Sequence, residues 1–325
     1  HHKSYEKHND VLAFINPNNI SDTSGYNFLC SAGLTFLFIN CLQKMFVNSS
    51  KFSDLPDINM FLDLVALATV CDVVPLIDIN RSFVYNGLKI LSKRQNMGLK
   101  ILSDENHLNK KPDEEDLGFF FGPRLNAGGR VGKSNIGEQL LCSNNEDEAE
   151  FISKKLNTLN YQRKLIEEKV YNESVNKIKE NKLNKQSLFL YDNNWHEGVI
   201  GIVASRIKEK YKKPVIILTK NNDIYKGSGR SILGIDIGLL IIEAKQKKII
   251  INGGGHHMAA GLSIKEKNIN LFETFFEDYV KKNKKKVKKN NYTIIDEVLS
   301  LGAINDELID NLEIISPFGI GNPKP

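Results

Sequence analysis

Little in this sequence would staple or anchor a chain from outside. Only four of its 325 residues are cysteines. These are Cys30, Cys41, Cys71 and Cys142, and no two of them stand in a C-x-x-C pair. That argues against a disulfide framework and leaves reduced, buried thiols in a cytoplasmic protein as the expectation. Long apolar runs are also missing. The most apolar stretch, residues 28–42, contains Ser31 and Asn40, and it is shorter than the roughly 18–20 residues that span a bilayer. A buried helix is expected there, and no membrane partner. The chain opens with His1-His2 instead of Met, and no basic start with an apolar run and a cleavage site follows, so no secretory signal is read. There is no G-x-x-x-x-G-K-[ST] loop, which disfavours an NTP motor, and no G-x-S-x-G elbow, which disfavours an α/β-hydrolase. No internal repeat is visible.

What is present fits an ordinary globular chain. Hydrophobic residues make up 41% and charged residues 26%, enough apolar material to bury a core in each of two or three domains. The net charge of +5 is compatible with a polyanionic partner without requiring one.

Along the chain, strands and helices alternate. Residues 11–16 read as a buried strand ending at Pro17, and 33–46 as a helix. Residues 61–76 read as a helix followed by a short buried strand stopped by Pro75, and 83–92 as another helix. That pattern predicts an α/β domain with a largely parallel sheet. The acidic stretch 103–116 reads as a surface loop, and the glycine-dense segment 118–130 as tight turns or backbone close to a ligand. From about 145 to 181 there is neither proline nor glycine. Apolar residues recur there every three or four positions, and Asn144 or Asn145 can cap the start. This predicts one helix of about 35 residues, roughly 50 Å long, suited to connecting two domains. Strands are then expected at 187–191, 214–218 and 225–232, with helices at 199–211 and, capped by Asp236, up to 244. Residues 249–251 lead into Gly253-Gly254-Gly255-His256, read as a tight loop. Seven lysines within 281–289 read as a solvated helix end or linker.

Several residues are candidates for chemistry. Asp72, inside an apolar run, is costly to bury as an anion unless it is paired or bound to metal. At the carboxyl end of a parallel strand it would face the usual ligand crevice. His1 and His2 would suit a transition metal such as Mn²⁺ beside carboxylates, or are the remnant of a tag. Arg124 and Arg130 flank Asn126 and Gly128-Gly129. Their planar forks match phosphate oxygens, and glycine lets an anion approach main-chain N–H groups; a structural loop with surface arginines is the plainer reading. Ser228, Arg230 and Ser231, with Gly254, Gly255 and His256, join Trp195-His196-Glu197-Gly198 as pieces of one anion pocket. Hydrogen-bonded structural histidines are the alternative for His196 and His256.

In combination these segments resemble the RecJ branch of the DHH phosphoesterase superfamily. His1-His2 is similar to the end of the Asp-His-His signature, and Asn16-Pro17 follows it. Residues 62–76 resemble a motif whose later aspartate, here Asp72, is a metal ligand. Residues 122–130 and 195–206 resemble segments characteristic of this branch. Residues 226–231 and 254–261 resemble the DHH-associated domain, and 317–323 the entry to an OB-fold. The implied fold class is α/β. It consists of the C-terminal half of a DHH domain (1–135), a long connector helix (136–185), a DHH-associated substrate-binding domain (186–290) and the start of an OB-fold region (291–325).

The resemblance further implies a metal-dependent 5′-to-3′ exonuclease acting on single-stranded DNA in repair and recombination, with two ions, Mn²⁺ or Mg²⁺. His1 and Asp72 would be metal ligands and His2 would contact the scissile phosphate. Arg124, Asn126, Arg130, His196, Ser228, Arg230, Ser231, Gly254, Gly255 and His256 would hold DNA phosphates across an interdomain cleft too narrow for duplex. Single-strand-binding protein and a helicase would be partners. The family's first aspartates should precede His1, so this stretch alone is expected to be inactive. Other readings are a DHH phosphodiesterase of oligonucleotides or cyclic dinucleotides, or a non-catalytic single-strand-binding relative.

Overall fold

A computed structural model describes residues 11–48, 55–181, 183–284 and 295–325. The helices are α1 (Ser31–Asn48), α2 (Leu62–Cys71), α3 (Asp78–Ser92), α4 (Met97–Glu105), α5 (Gly122–Leu125), α6 (Ala127–Val131), α7 (Ile136–Cys142), α8 (Glu146–Asn181), α9 (Glu197–Tyr211), α10 (Ile237–Gln246), α11 (Ile269–Lys284) and α12 (Asp306–Ile314). The strands are β1 (Leu188–Asp192), β2 (Val215–Asn221), β3 (Ile224–Arg230), β4 (Asn252–His256) and β5 (Ala259–Lys265). The chain divides into two compact units. One comprises 1–126, 135–156 and 294–325, the other 127–134 and 157–293.

The first unit is helical among its described residues. Leu29, Leu62, Val65 and Phe83 form a core between α1, α2 and α3, with the rings of Phe36 and Phe83 edge to face at 5.4 Å. Helix α3 can lie close on α2 because Gly87 has no side chain; a Cβ there would strike the Leu62 carbonyl and Ala66. The strands expected at 11–16 and after α2 are absent. Neither segment has a ladder partner among the described residues, and Leu12, Phe14 and Ile15 are exposed. Residues 62–71 are buried nearly all round, so their apolar run could not distinguish a helix from a strand. Residues 118–121 belong to a π-helical turn, Asp116–Phe121, that runs into α5. Helix replaces the expected turns through most of 122–131. Residues 295–325, expected to begin a further region, pack in this unit: the Leu76 N–H donates to the Ile320 carbonyl at 2.6 Å, and the Phe318 N–H to Glu114 at 2.8 Å.

Helix α8 is 36 residues long and starts where expected, its Glu148 N–H capped by Asn145 at 2.9 Å. It is not a bare connector. Ala149, Ile152 and Leu156 are buried in the first unit, and Val170, Val175 and Ile178 in the second. Of the four thiols, Cys30 is buried, whereas Cys41 and Cys142 are exposed.

The second unit carries a mixed sheet in the order β1-β2-β3-β5-β4. Only β1 and β2 pair in parallel; the other pairs are antiparallel. One face packs Phe189, Ile216, Leu218, Tyr225, Ala260, Leu262 and Ile264 against α10 and α11. On the opposite face Leu188, Leu190, Val215 and Ile217 meet α9 and the end of α8. The Gly253–Gly255 run is a strand, not the expected loop. A Cβ on Gly253 would collide with Ile241, and one on Gly255 with the backbone of Ala259 and Ala260, so these glycines let β4 sit close to α10 and β5.

Candidate functional site

Of the expected phosphate-binding residues of the second unit, Arg130, Ser228 and Arg230 converge on the face of β3 beside the start of α9. Helix α9 begins at His196, whose Nδ1 accepts from the Gly198 N–H at 3.1 Å, a helix cap that satisfies one free donor. Gly198 lies against α6. A Cβ there would strike the Arg130 carbonyl, and Arg130 returns a bond from Nη1 to the Gly198 carbonyl at 3.1 Å. One turn along α9, Gly201 leaves room for Ser228 Oγ and the Arg230 guanidinium, at 3.1 and 3.3 Å from where its Cβ would stand. Arg230 is held by Ser205 Oγ at 3.2 Å, Ser228 Oγ at 3.1 Å and the Gly229 carbonyl at 2.8 Å.

Arg130, Gly198, Gly201, Ser228 and Arg230 line a hollow of about 610 Å³ that also touches Glu197, Asn221 and Lys226. Glu197 is engaged by Asn221 Nδ2 at 2.7 Å. The arginines crowd one another. Burial and Arg130 lower the Arg230 pKa; burial and Arg163 lower that of Arg130, while Glu167 raises it. Arg163 is itself clamped by Asn160 and, at 2.7 Å, by Glu167. Guanidinium stays charged under such shifts, and like charges held close favour an anion between them.

The other expected residues are placed differently. Ser231 is fully buried and donates to the Ile235 carbonyl at 2.7 Å, so it shapes the end of β3 and does not line the hollow. Gly254 and Gly255 are both exposed on β4, Gly255 close against Ala259 and Ala260 of β5. His256 ends β4 exposed, with Nδ1 accepting from the Met258 N–H at 3.3 Å. Gly201, Ser205 and Lys226 were not singled out from sequence. The spacing of Gly201 and Ser205, one helical turn apart in an apolar helix, is the signal that could have found them.

In the first unit, Arg124 stacks over Phe120 at 4.0 Å and bonds Asn106 Oδ1 at 3.3 and 3.1 Å and the Phe120 carbonyl at 2.9 Å. Asn126 is exposed at the end of α5. Asp72 caps the end of α2 and is exposed, not at the tip of a buried strand. The turn after it is fixed by Asn80, whose Nδ2 donates to the Phe28 and Pro75 carbonyls at 2.8 and 2.9 Å. Burial, then the nearby Asp72, push the Cys71 thiol up to about 11. It therefore stays protonated, and the donor offered here is a carboxylate oxygen, which suits a hard divalent cation. Asp72 alone does not make a metal site, and no group of three or more His, Cys, Asp or Glu is placed to hold a metal among the described residues. His1 and His2 lie outside the described residues.

Residues 184–282 match the DHHA1 domain. The chain is 34% identical to a single-stranded-DNA-specific exonuclease RecJ of Salmonella typhimurium, over 100% of this chain and 59% of that protein. Crystal structures of Thermus thermophilus RecJ, one with Mg²⁺ and one with Mn²⁺, superpose with a TM-score of 0.79 at 27% identity, over 90% of this chain and 44% and 42% of theirs. Over its whole length the chain is similar to RecJ exonucleases. It spans about three-fifths of the length of the Salmonella relative, which it covers to 59%. The DHHA1 match holds the whole sheet of the second unit, so the arginine-lined hollow lies largely on that domain, with Arg130 of α6 contributed from outside the matched span. No described helix is long and apolar enough to cross a membrane.

Proposed function

We propose that this chain contributes the substrate-gripping and part of the metal-holding core of an exonuclease that hydrolyses phosphodiester bonds of single-stranded DNA from the 5′ end. The observation that carries this reading is the hollow in which Arg130, Arg230 and Ser228 converge beside the first turn of α9. Two forks with fixed orientation suit the paired oxygens of a phosphate, and the start of a helix adds a favourable dipole. Arg230 grips a backbone phosphate and Ser205 and Ser228 hold its fork in place. Arg130 faces the same anion, and His196 fixes the turn of α9 that Arg130 leans on. Gly254 and Gly255 with His256 extend the grip across the sheet; for Arg124 and Asn126 of the first unit, phosphate binding is proposed on the family likeness alone.

His1 and Asp72 would hold the divalent ions, Mn²⁺ or Mg²⁺, which when bound polarise the phosphodiester and supply hydroxide at neutral pH. The 5′-to-3′ direction, the role in repair and recombination, work in the cytoplasm, and the partners (single-strand-binding protein and a helicase) are proposed on the family likeness. The test is degradation of single-stranded and duplex DNA carrying a label at the 5′ end, with Mn²⁺ or chelator. Metal-dependent release of short labelled products from the single strand alone is expected, whether from this chain or from the chain extended by the relatives' preceding segment. Equal degradation of duplex, or none from either form, would contradict the proposal.

A further inference from the structure

Beside the arginine-lined hollow, the sheet face continues uncovered, and its register arranges the outward side chains in rows. Arg230 pairs with Ala259, and Ala259 with His256; Ser228 pairs with Gly261, and Gly261 with Gly254; Lys226 pairs with Ser263, and Ser263 with Asn252. The first and last rows are polar and the row between them is nearly bare.

The bareness is not imposed by packing. On the core face the glycines are crowded, as at Gly227 against Leu218 and Gly229 against Ile237. On the outer face a Cβ at Gly254 would meet nothing within 4 Å, and one at Gly261 only the Gly227 carbonyl at 3.9 Å. Neither glycine has a positive φ. Gly261 opens on a second hollow of about 300 Å³, lined also by Lys226, Asn252 and Ser263 and by no acidic side chain. Lys226 and Gly227 line both hollows, so the two adjoin. Lys226 Nζ lies 3.2 Å from Ser263 Oγ, and a second cation, Lys245 Nζ, lies 2.8 Å from Asn252 Oδ1.

We propose that the Lys226–Ser263–Asn252 row is a second phosphate subsite for the same single strand, with sugar and base of the intervening chain lying over the bare Ser228–Gly261–Gly254 row. The proposal rests on the nucleic-acid reading of the Arg230 hollow. Rows four residues apart along a strand are separated by about 13 Å, too far for one phosphate to touch both, so the rows hold different phosphates. Backbone tracking along a groove by spaced cations is how single strands are held without sequence preference.

The test compares thymidine 5′-phosphate with 5′-phosphorylated trithymidylate, each titrated into the 325-residue chain and three variants, Arg230→Gln, Asn252→Asp and Gly261→Val; Asn252 is exposed and, of the two hollows, lines only the second. Valine at 261 enters open space on a strand that favours β-branched residues, and an unchanged melting temperature checks that it does so without harm. Arg230→Gln is expected to weaken both ligands. Asn252→Asp, which sets a negative charge in the row, and Gly261→Val are expected to weaken the trinucleotide by about ten-fold, as for one lost charged contact, and to leave the mononucleotide within about two-fold. If the trinucleotide binds both of these variants like the parent while Arg230→Gln loses both ligands, the subsite is refuted and the Arg230 hollow stands. If the parent binds neither ligand, or Arg230→Gln binds both unchanged, the nucleic-acid reading falls and the subsite with it. Should Gly261→Val melt early, Asn252→Asp alone decides.

Discussion

One face of the second unit's sheet has two unlike halves. Over β1 and β2 it presents Leu188, Leu190, Val215 and Ile217, all fully buried beneath α8 and α9. Over β3, β5 and β4 the same face presents Arg230, Ser228, Lys226, Gly261, Ser263, Gly254 and Asn252, all partly or well exposed. The strands are continuous in hydrogen bonding, so the backbone does not make the difference. Side-chain choice does: branched apolar residues recruit helices, while arginine, lysine, serine and glycine leave a surface on which an anionic chain can lie. One half supplies stability and the other binding.

The comparison sharpens most at its apolar end. Ile217→Ala beneath α9 should cost about 2–5 kcal/mol, the usual range for emptying a buried site, read as a lower denaturant midpoint; a loss of only a few tenths would mean that this half is not a core. On the open half, Arg230→Gln should weaken binding of a single-stranded oligonucleotide by about 10–100-fold, the value of a charged hydrogen bond. Its melting temperature should stay near the parent's, because Ser205 and Ser228 remain accessible to water. A variant that unfolds without a selective binding loss would make Arg230 a structural residue.

Much of the covered half was legible in sequence, and the reasons are local. Strands β1 and β2 announce themselves as short branched runs, and Asp236 caps α10 as its position before an apolar run suggests, accepting from the Leu239 N–H at 2.9 Å. Helix α8 follows from a long stretch free of breakers. The open half was harder to read. In β4 glycine signals a loop by propensity, yet it is strand because Ile241 and Ala260 exclude side chains there, a tertiary fact with no local trace. Arg230 and Ser228 were found through a motif. Their neighbours Ser205 and Lys226 were missed because their alignment depends on helix and strand register. In the first unit Asp72 was singled out, but its setting was misread: an apolar run buried on all sides gives strand and helix the same appearance.

A smaller effect concerns the helix-covered back of the sheet. Burial pushes the Glu277 carboxyl up, but the Ser187 hydroxyl, the Gln186 and Ser187 N–H groups and Lys281 more than offset this and hold it below the usual carboxylate range. A depressed folded-state pKa means that the stabilisation is complete above the unfolded value of about 4.3 and fades as pH falls through the lower folded value. Glu277→Gln should therefore flatten the acid limb of the melting-temperature profile, and a variant profile parallel to the parent's would contradict this. The smallest effect is expected for Gly261→Val, a change in stability within about 0.5 kcal/mol, as for exposed sites away from special contacts. A larger loss would show that the bare row is packed against something.

The most direct measurement is the salt dependence of single-strand binding by the chain and by its Arg130→Gln, Arg230→Gln double variant. If the open half grips phosphates, the parent's affinity falls steeply with salt and the variant's slope is shallower by about 0.7 for each phosphate contact removed. Identical slopes, with affinity unchanged, would show that the strand does not lie on this face.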